Sequence, residues 1–453
     1  RNGNFYSSID CKNVEHPILR NSGSGILNIY DGKIKITQSL YYAGRVWGVY
    51  TEDEAVLNVY KLDIESNNIN AKNYFIACLG SGDVYIEGLT SRINEEVNPT
   101  SAHSGNSNYC IISQPDGNTN NIHIKSASFN CEESSATNFG LYCYDNESTI
   151  IIDELNVDGG NKKVVEKDEL KYGIYAYSDC NLIYNGGTIQ NVQRGINYYI
   201  CDGSIEINGG NISGFTYSVY SYFLSPTVEI NGGNFVGDIY LESSESFKLT
   251  DGYINGSVSL ESTATITGGV IETTSYGIKL IDSGRLTMTG GTILLNPINN
   301  ITYGIYTSSS YTNNIVIQSG TIKLIDHENG YTFPYDSYGI YNGNTATITL
   351  GIKEEEKEKP ELNPYIEGGT NGLYTYSKGK VYFYDGKICG GVTAISGAIT
   401  ETLDQYQVKY LNNSDKIAVL GLISDFENSI RVGSIYYDSL ETALGVIENT
   451  ATQ

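Results

Sequence analysis

The sequence predicts an all-β chain wound as a single-stranded, right-handed parallel β-helix, a β-solenoid of about 14 coils with a small C-terminal extension. Three observations carry that expectation. A strand–turn–strand pattern returns fourteen times between Leu27 and Val381, at a mean spacing of about 27 residues. A second pattern, centred on Tyr-Gly-Ile-Tyr, accompanies it. The composition sets 50 Gly and 39 Tyr against 8 Pro, 1 Met and 1 Trp, which suits short strands and tight turns and leaves few helix formers.

The first pattern runs apolar-x-apolar, then a polar residue, usually Gly, and an apolar residue again. It opens as LNIYDGKI at Leu27, LNVYKLDI at Leu57, VYIEGLTS at Val84, IHIKSASF at Ile122 and IIIDELNV at Ile150. It continues at Leu182, Ile205, Val228, Phe247 and Ala264, and closes at Leu286, Ile315, Ala346 and Val381. The copies at Leu182, Ile205 and Val228 are spaced by 23 residues, and the spacing falls to 17 between Phe247 and Ala264. A propeller blade needs about 40 residues and four strands, so a coil repeat is the better account.

The second pattern is complete at Tyr172–Tyr175, Tyr303–Tyr306 and Tyr338–Tyr341 and degenerate elsewhere. After the Gly position stand Val49, Leu141, Ile174, Ile196, Val219, Ile239, Val258, Ile278, Ile305, Ile340 and Leu373, all aliphatic. The next residue points to the opposite face of a strand. It is tyrosine at 50, 142, 175, 220, 240, 306, 341 and 374, and Asn197, Ser259 or Lys279 otherwise. The alternation therefore places aliphatic residues inside and tyrosine outside.

One such coil cannot bury its aliphatic face. Stacking coils about 4.8 Å apart sets each Ile on the next and pairs the backbone in parallel ladders. Glycines supply positive-φ bends between strands. Asn185, Asn208 and Asn231 fall at equivalent positions, where stacked amides can bond from coil to coil; Thr267 and Thr289 occupy the neighbouring register. Residues 1–26 read as an N-terminal cap and 27–400 as the β-helix. Residues 401–453 read as a C-terminal extension or cap, or the start of a further module. Two charged stretches, Lys162–Lys171 and Lys353–Glu361, read as solvated loops. Asp438 with Glu441, then Leu440, Ala443, Leu444 and Ile447, has the signature of a capped helix. The chain starts at Arg1 with no signal-like apolar segment, and is read as a mature or excised fragment that either continues past Gln453 or ends in that helix.

The net charge is −24, with 28 basic and 52 acidic residues, which argues against nucleic acid, since phosphate backbones demand clustered Lys and Arg. No apolar run approaches the length of a membrane span, so direct membrane insertion is not expected. Eight Cys and 4 His include no C-x-x-C pair, leaving zinc and redox motifs unsupported. The cysteines are open to two readings, disulfides of a secreted protein or buried thiols at inward positions.

With Tyr-Gly-Ile-Tyr and Ile-x-Ile-x-Gly-Gly-x-Ile on the page, the chain resembles the pectin-lyase-like right-handed parallel β-helices, in the form found in bacterial cell-surface and adhesin proteins. The resemblance covers roughly residues 27–400. That superfamily includes polysaccharide lyases, glycoside hydrolases, phage tailspikes and non-catalytic adhesins, so the resemblance implies a fold and leaves activity open.

A β-helix lyase needs a cation, usually calcium on carboxylates, and an Arg or Lys base. The Arg residues at 1, 20, 45, 92, 194, 285 and 431 are scattered, with stacking able to bring Arg20 near Arg45. A glycosidase needs carboxylates about 5–10 Å apart, yet the Asp-Asp and Gly-His-Gly patterns are absent. Glu52-Asp53-Glu54 reads as an exposed turn. No catalytic residue, metal site or cofactor is assigned, and calcium is expected only adventitiously. The candidate ligand-binding residues are Tyr142, Tyr175, Tyr220, Tyr240, Tyr306, Tyr341 and Tyr374, since aromatic rings give large rigid contact area. Their other reading is a cover for the apolar stack. Breaks at Ser259 and Lys279 confine a binding face to Tyr142–Tyr240 or Tyr306–Tyr374. The expected function is a non-enzymatic extracellular or cell-surface module, an adhesin that binds a polysaccharide or a host or cell-surface protein through this face, or a stalk. The alternative is a polysaccharide lyase or glycoside hydrolase with catalytic residues drawn from neighbouring coils.

Overall fold

The computed structural model describes residues 3–5, 8–12, 16–37, 45–67, 72–94, 107–115, 119–131, 137–144, 148–160, 171–177, 179–223, 226–242, 246–307, 312–325, 335–353, 361–411, 414–426, 430–432, 435–437 and 444. The chain divides into two compact units, Arg1–Ser246 and Phe247–Gln453. Both are built almost wholly of short strands.

In the first unit the apolar-x-apolar strands form one parallel ladder. Thr149–Ile152, Asn181–Tyr184, Ser204–Ile207 and Thr227–Ile230 lie side by side, with Ile150, Leu182, Ile205 and Val228 in register. The Tyr-Gly-Ile-Tyr strands form a second, with Leu141, Ile174, Ile196, Val219 and Ile239 in register. Each strand pairs with its counterpart one coil later, which defines a parallel β-helix. Every inward aliphatic residue of the second ladder is at most 1% exposed. The ladders also include Gly3–Phe5 and Ser8–Lys12, parallel to strands at Leu27 and Lys33, so they reach into the segment expected to act as a cap.

Two kinds of glycine shape the coil. Gly210 and Gly233, the second of each Gly-Gly pair, have φ of 87° and 103°, a region that side chains disfavour. Gly173 of Tyr-Gly-Ile-Tyr has a different reason: a Cβ there would stand 2.4 Å from Ile189 Cγ2 and 2.5 Å from the Gly195 carbonyl oxygen. Polar ladders tie the coils together. Asn208 Nδ2 donates to Asn185 Oδ1 and Asn231 Nδ2 to Asn208 Oδ1, both at 3.0 Å, as the sequence spacing predicts. A second, buried ladder runs from Asn73 to Asn108 at 2.6 Å and from Asn108 to Asn138 at 2.9 Å. Lys171 takes the next rung. It was expected in a solvated loop, yet it is buried, and its ammonium donates to the carbonyls of Cys131 and Gly159. The rest of that stretch lies outside the described residues.

The second unit repeats the scheme. Ala264, Leu286, Ile315, Ile348 and Val381 align in one parallel ladder, and Val258, Ile278, Ile305, Ile340, Leu373 and Ile395 in another. The pattern changes where the extension was expected. Tyr406–Tyr410 pairs antiparallel with Ile417–Leu422, which pairs antiparallel with Lys387–Gly390. Of the helix expected after Tyr437, only Leu444 lies among the described residues. Seven cysteines, at 78, 110, 131, 143, 180, 201 and 389, are buried. Burial pushes Cys78, Cys110 and Cys131 up to about 12, which makes them core packing groups and not nucleophiles.

Candidate functional site

The seven candidate tyrosines fall into one run in each unit. In the first, Tyr142 and Tyr175 stack with centroids 5.3 Å apart and 6° between planes, and Tyr220 and Tyr240 at 5.6 Å and 16°. In the second, Tyr306 and Tyr341 stack at 5.5 Å, and Tyr341 and Tyr374 at 4.7 Å. Parallel rings this close cannot lie side by side in one plane, so they turn their faces to each other. The outer surface of each run is therefore ring edge and phenol hydroxyl at every rung that carries a tyrosine, all but that of Asn197 in the first unit. That differs from a flat platform of ring faces, and it follows from the rung spacing.

A neighbouring aromatic column props these rings. Tyr74, Tyr109, Phe139 and Tyr172 stack in sequence at 4.8, 4.9 and 5.2 Å. Phe139 meets Tyr142 edge-on at 5.1 Å, and Tyr172 meets Tyr175 at 5.0 Å. Tyr276, Tyr303 and Tyr338 do the same in the second unit. The candidate tyrosines are thus half-buried, and burial raises the phenols of Tyr142, Tyr175, Tyr220 and Tyr341. A third column, on the far side of the candidates in the first unit, was missed in the sequence. Tyr144, Tyr177, Tyr199 and Tyr222 stack at 5.0, 5.6 and 6.1 Å. Its signal was available: each follows an inward residue, two positions beyond the candidate tyrosine or Asn197. Tyr144 and Phe223 are the most exposed rings at this edge, at 43% and 54%.

The breaks expected at Ser259 and Lys279 fall on consecutive rungs of the second unit. Lys279 sits beside Tyr306 in register and its ammonium lies 5.2 Å from the Tyr276 ring centroid. Asn197 interrupts the first run between Tyr175 and Tyr220.

The other chemistry-bearing residues are dispersed. Arg20 pairs with Glu52, donating from Nε at 2.9 Å, and Asp53 accepts from the Gly23 amide, so the Glu52-Asp53-Glu54 patch ties a turn. A shallow groove of about 260 Å³ in the first unit is lined by Asn58, Asp83, Tyr85, Asn121, His123 and Ile151 among others. There His123 Nε2 lies 2.9 Å from Asp153 Oδ2, and this contact, with a bond from Asn185, holds the Asp153 carboxyl below its usual range. Its residues are the outward x of apolar-x-apolar and its neighbours. Among the described residues no three His, Cys, Asp or Glu side chains are placed to hold a metal, and no helix is long and apolar enough to cross a membrane.

The fold and this surface define a parallel β-helix repeat protein bearing stacked aromatic columns. No family model, curated protein or solved structure matches the chain.

Proposed function

We propose that this chain is a non-enzymatic extracellular module of the pectin-lyase-like, bacterial cell-surface kind, binding a polysaccharide or a cell-surface protein through its tyrosine columns. The observation that carries the reading is the row of half-exposed phenols along each run, held by a second aromatic column. A glycan lying along such a row meets a hydroxyl that both donates and accepts at every rung that carries a tyrosine. Ring faces are open to sugar only where a stack is interrupted or ends. Because the row is uncharged, binding to a neutral glycan is expected to change little with salt.

The test is to incubate the chain, with calcium, on plant, microbial and host polysaccharides, reading retention and product release. Retention without cleavage, lost in the Tyr175→Ala, Tyr220→Ala double variant, is the expected result. Retention unchanged in that variant overturns the tyrosine reading. The second reading, a polysaccharide-degrading enzyme, is favoured by the groove lined by His123 and Asp83, with Asp153 against His123. Product release abolished by His123→Ala would establish it in place of the first.

A further inference from the structure

The tyrosine run of the first unit skips one rung. Tyr175, Asn197 and Tyr220 are consecutive in register, so two rings stand two rungs, about 9.6 Å, apart with a short side chain between them. In the adjoining column the same rung carries Arg194, between Tyr172 and Tyr217. Its guanidinium lies 3.9 Å from the Tyr220 centroid and 5.7 Å from that of Tyr217. Its Nη1 donates to Asn197 Oδ1 at 2.7 Å.

Two donors are left over. Arg194 Nε and Asn197 Nδ2 are buried and have no hydrogen-bond partner, and Asn197 is 0% exposed. Among the described residues no carboxylate is paired with Arg194, although acidic residues outnumber basic ones 52 to 28. Buried donors are nearly always satisfied in a folded protein, and a guanidinium is shaped to give paired N–H bonds to an oxyanion.

We infer that this skipped rung is a slot for one oxyanion carried on a sugar ring. Arg194 turns off Tyr220 to take the carboxylate or sulfate, exchanging a ring contact for a charge-assisted pair. The sugar enters the rung thus vacated, between the faces of Tyr175 and Tyr220, and Asn197 Nδ2 donates to it from the floor. The inference rests on the tyrosine columns being a glycan-binding surface and adds which sugar they select. Charge limits the choice further. One guanidinium on a chain of net charge −24 favours a glycan with a single acidic residue on a neutral chain and repels a polyanion.

Saturation-transfer NMR on the full chain with glucose, sodium glucuronate and glucose 6-sulfate tests this, with polygalacturonate as the polyanion. Either or both acidic sugars are expected to bind at least about tenfold tighter than glucose. That advantage should shrink as salt rises and vanish in Arg194→Gln, compared at a temperature where circular dichroism shows that variant folded. The better of the two acids distinguishes carboxylate from sulfate. If Arg194→Gln does not fold, Arg194→Lys, which keeps the charge without the fork, should weaken the acidic sugars alone. Equal binding of all three sugars, binding of none, an acid preference that survives Arg194→Gln, or tighter binding of polygalacturonate each overturns the slot. Retention of a polysaccharide that still depends on Tyr175 and Tyr220 would then leave the tyrosine reading standing; loss of that too would end both.

Discussion

At the scale of single residues, glycine does two separate jobs in this chain, and only one is about backbone freedom. Gly210 and Gly233 turn the chain through positive φ. Gly173 does not; it is there because its neighbours occupy the space of a Cβ, the Gly195 carbonyl on one side and Ile189 on the other. Backbone on the next rung cannot yield without disturbing the ladder, so overpacking is felt in full. Gly173→Ala is therefore expected to cost about 3 kcal/mol. Gly186 is the control, since a Cβ there meets a single atom, the Asp153 carbonyl oxygen at 3.1 Å. Gly186→Ala should cost well under half as much. Urea unfolding of the two variants decides the point: equal midpoints would show that the Tyr-Gly-Ile-Tyr glycine is not selected by close packing.

At the scale of the elements, the coils are joined by amide ladders of unequal worth. The exposed ladder of Asn185, Asn208 and Asn231 competes with water for every bond, whereas that of Asn73, Asn108 and Asn138 is closed in the interior. Asn108→Ala removes two buried amide bonds and is expected to cost about 2–3 kcal/mol, against about 1 kcal/mol for Asn208→Ala. Similar losses from both would mean that burial adds nothing to these bonds. The exposed ladder was legible in the sequence because Asn recurs every 23 residues before the same Gly-Gly. The buried one was not, since its members precede degenerate copies of the second pattern at irregular spacing. The aromatic columns divide in the same way. Strict alternation from Ile174 puts Tyr175 outside, as found, but it would also put Tyr172 inside. Tyr172 instead meets Tyr175 edge-on at the outer face, because Gly173 and Ile174 both face inward and the alternation slips by one at the glycine. The aliphatic stack could be counted from periodicity, while the way the rings face each other could not. That depends on neighbouring rungs bringing parallel rings within 4.7–5.6 Å, and it changes what the surface offers a ligand. The Arg194 slot was hidden for the same reason, since Arg194 and Tyr220 meet only through coil stacking.

At the scale of the whole chain, tyrosine and cysteine set the response to pH more than the many carboxylates do. Burial raises Tyr303 to about 12 and Cys78, Cys110 and Cys131 to about 12, and raises Tyr142 and Tyr175 in the same direction. In an unfolded chain these groups lose their protons near pH 10 for tyrosine and about 8.5 for cysteine. The folded state therefore holds more protons in this range. Its stability is fully present below those unfolded values and is lost as pH rises through them toward the folded ones. Each proton lost also adds to a net charge already at −24 at pH 7, so self-repulsion works in the same direction. On the acid side the sign reverses. Glu65 beside Arg92 and Asp153 beside His123 are held below their ordinary values, so their contribution is present above about pH 4 and lost below it. Both are solvent-screened pairs of small worth, and net charge falls toward zero near the pI of about 4.5. Thermal melting followed by circular dichroism is thus expected to drop more steeply between about pH 9 and 11 than between about pH 7 and 5. Native Cys78, Cys110 and Cys131 should stay unreactive to a thiol reagent until that drop begins. A melting temperature that is flat to pH 11, or thiols that react before it falls, would show that the aromatic columns and the core open to solvent independently of unfolding.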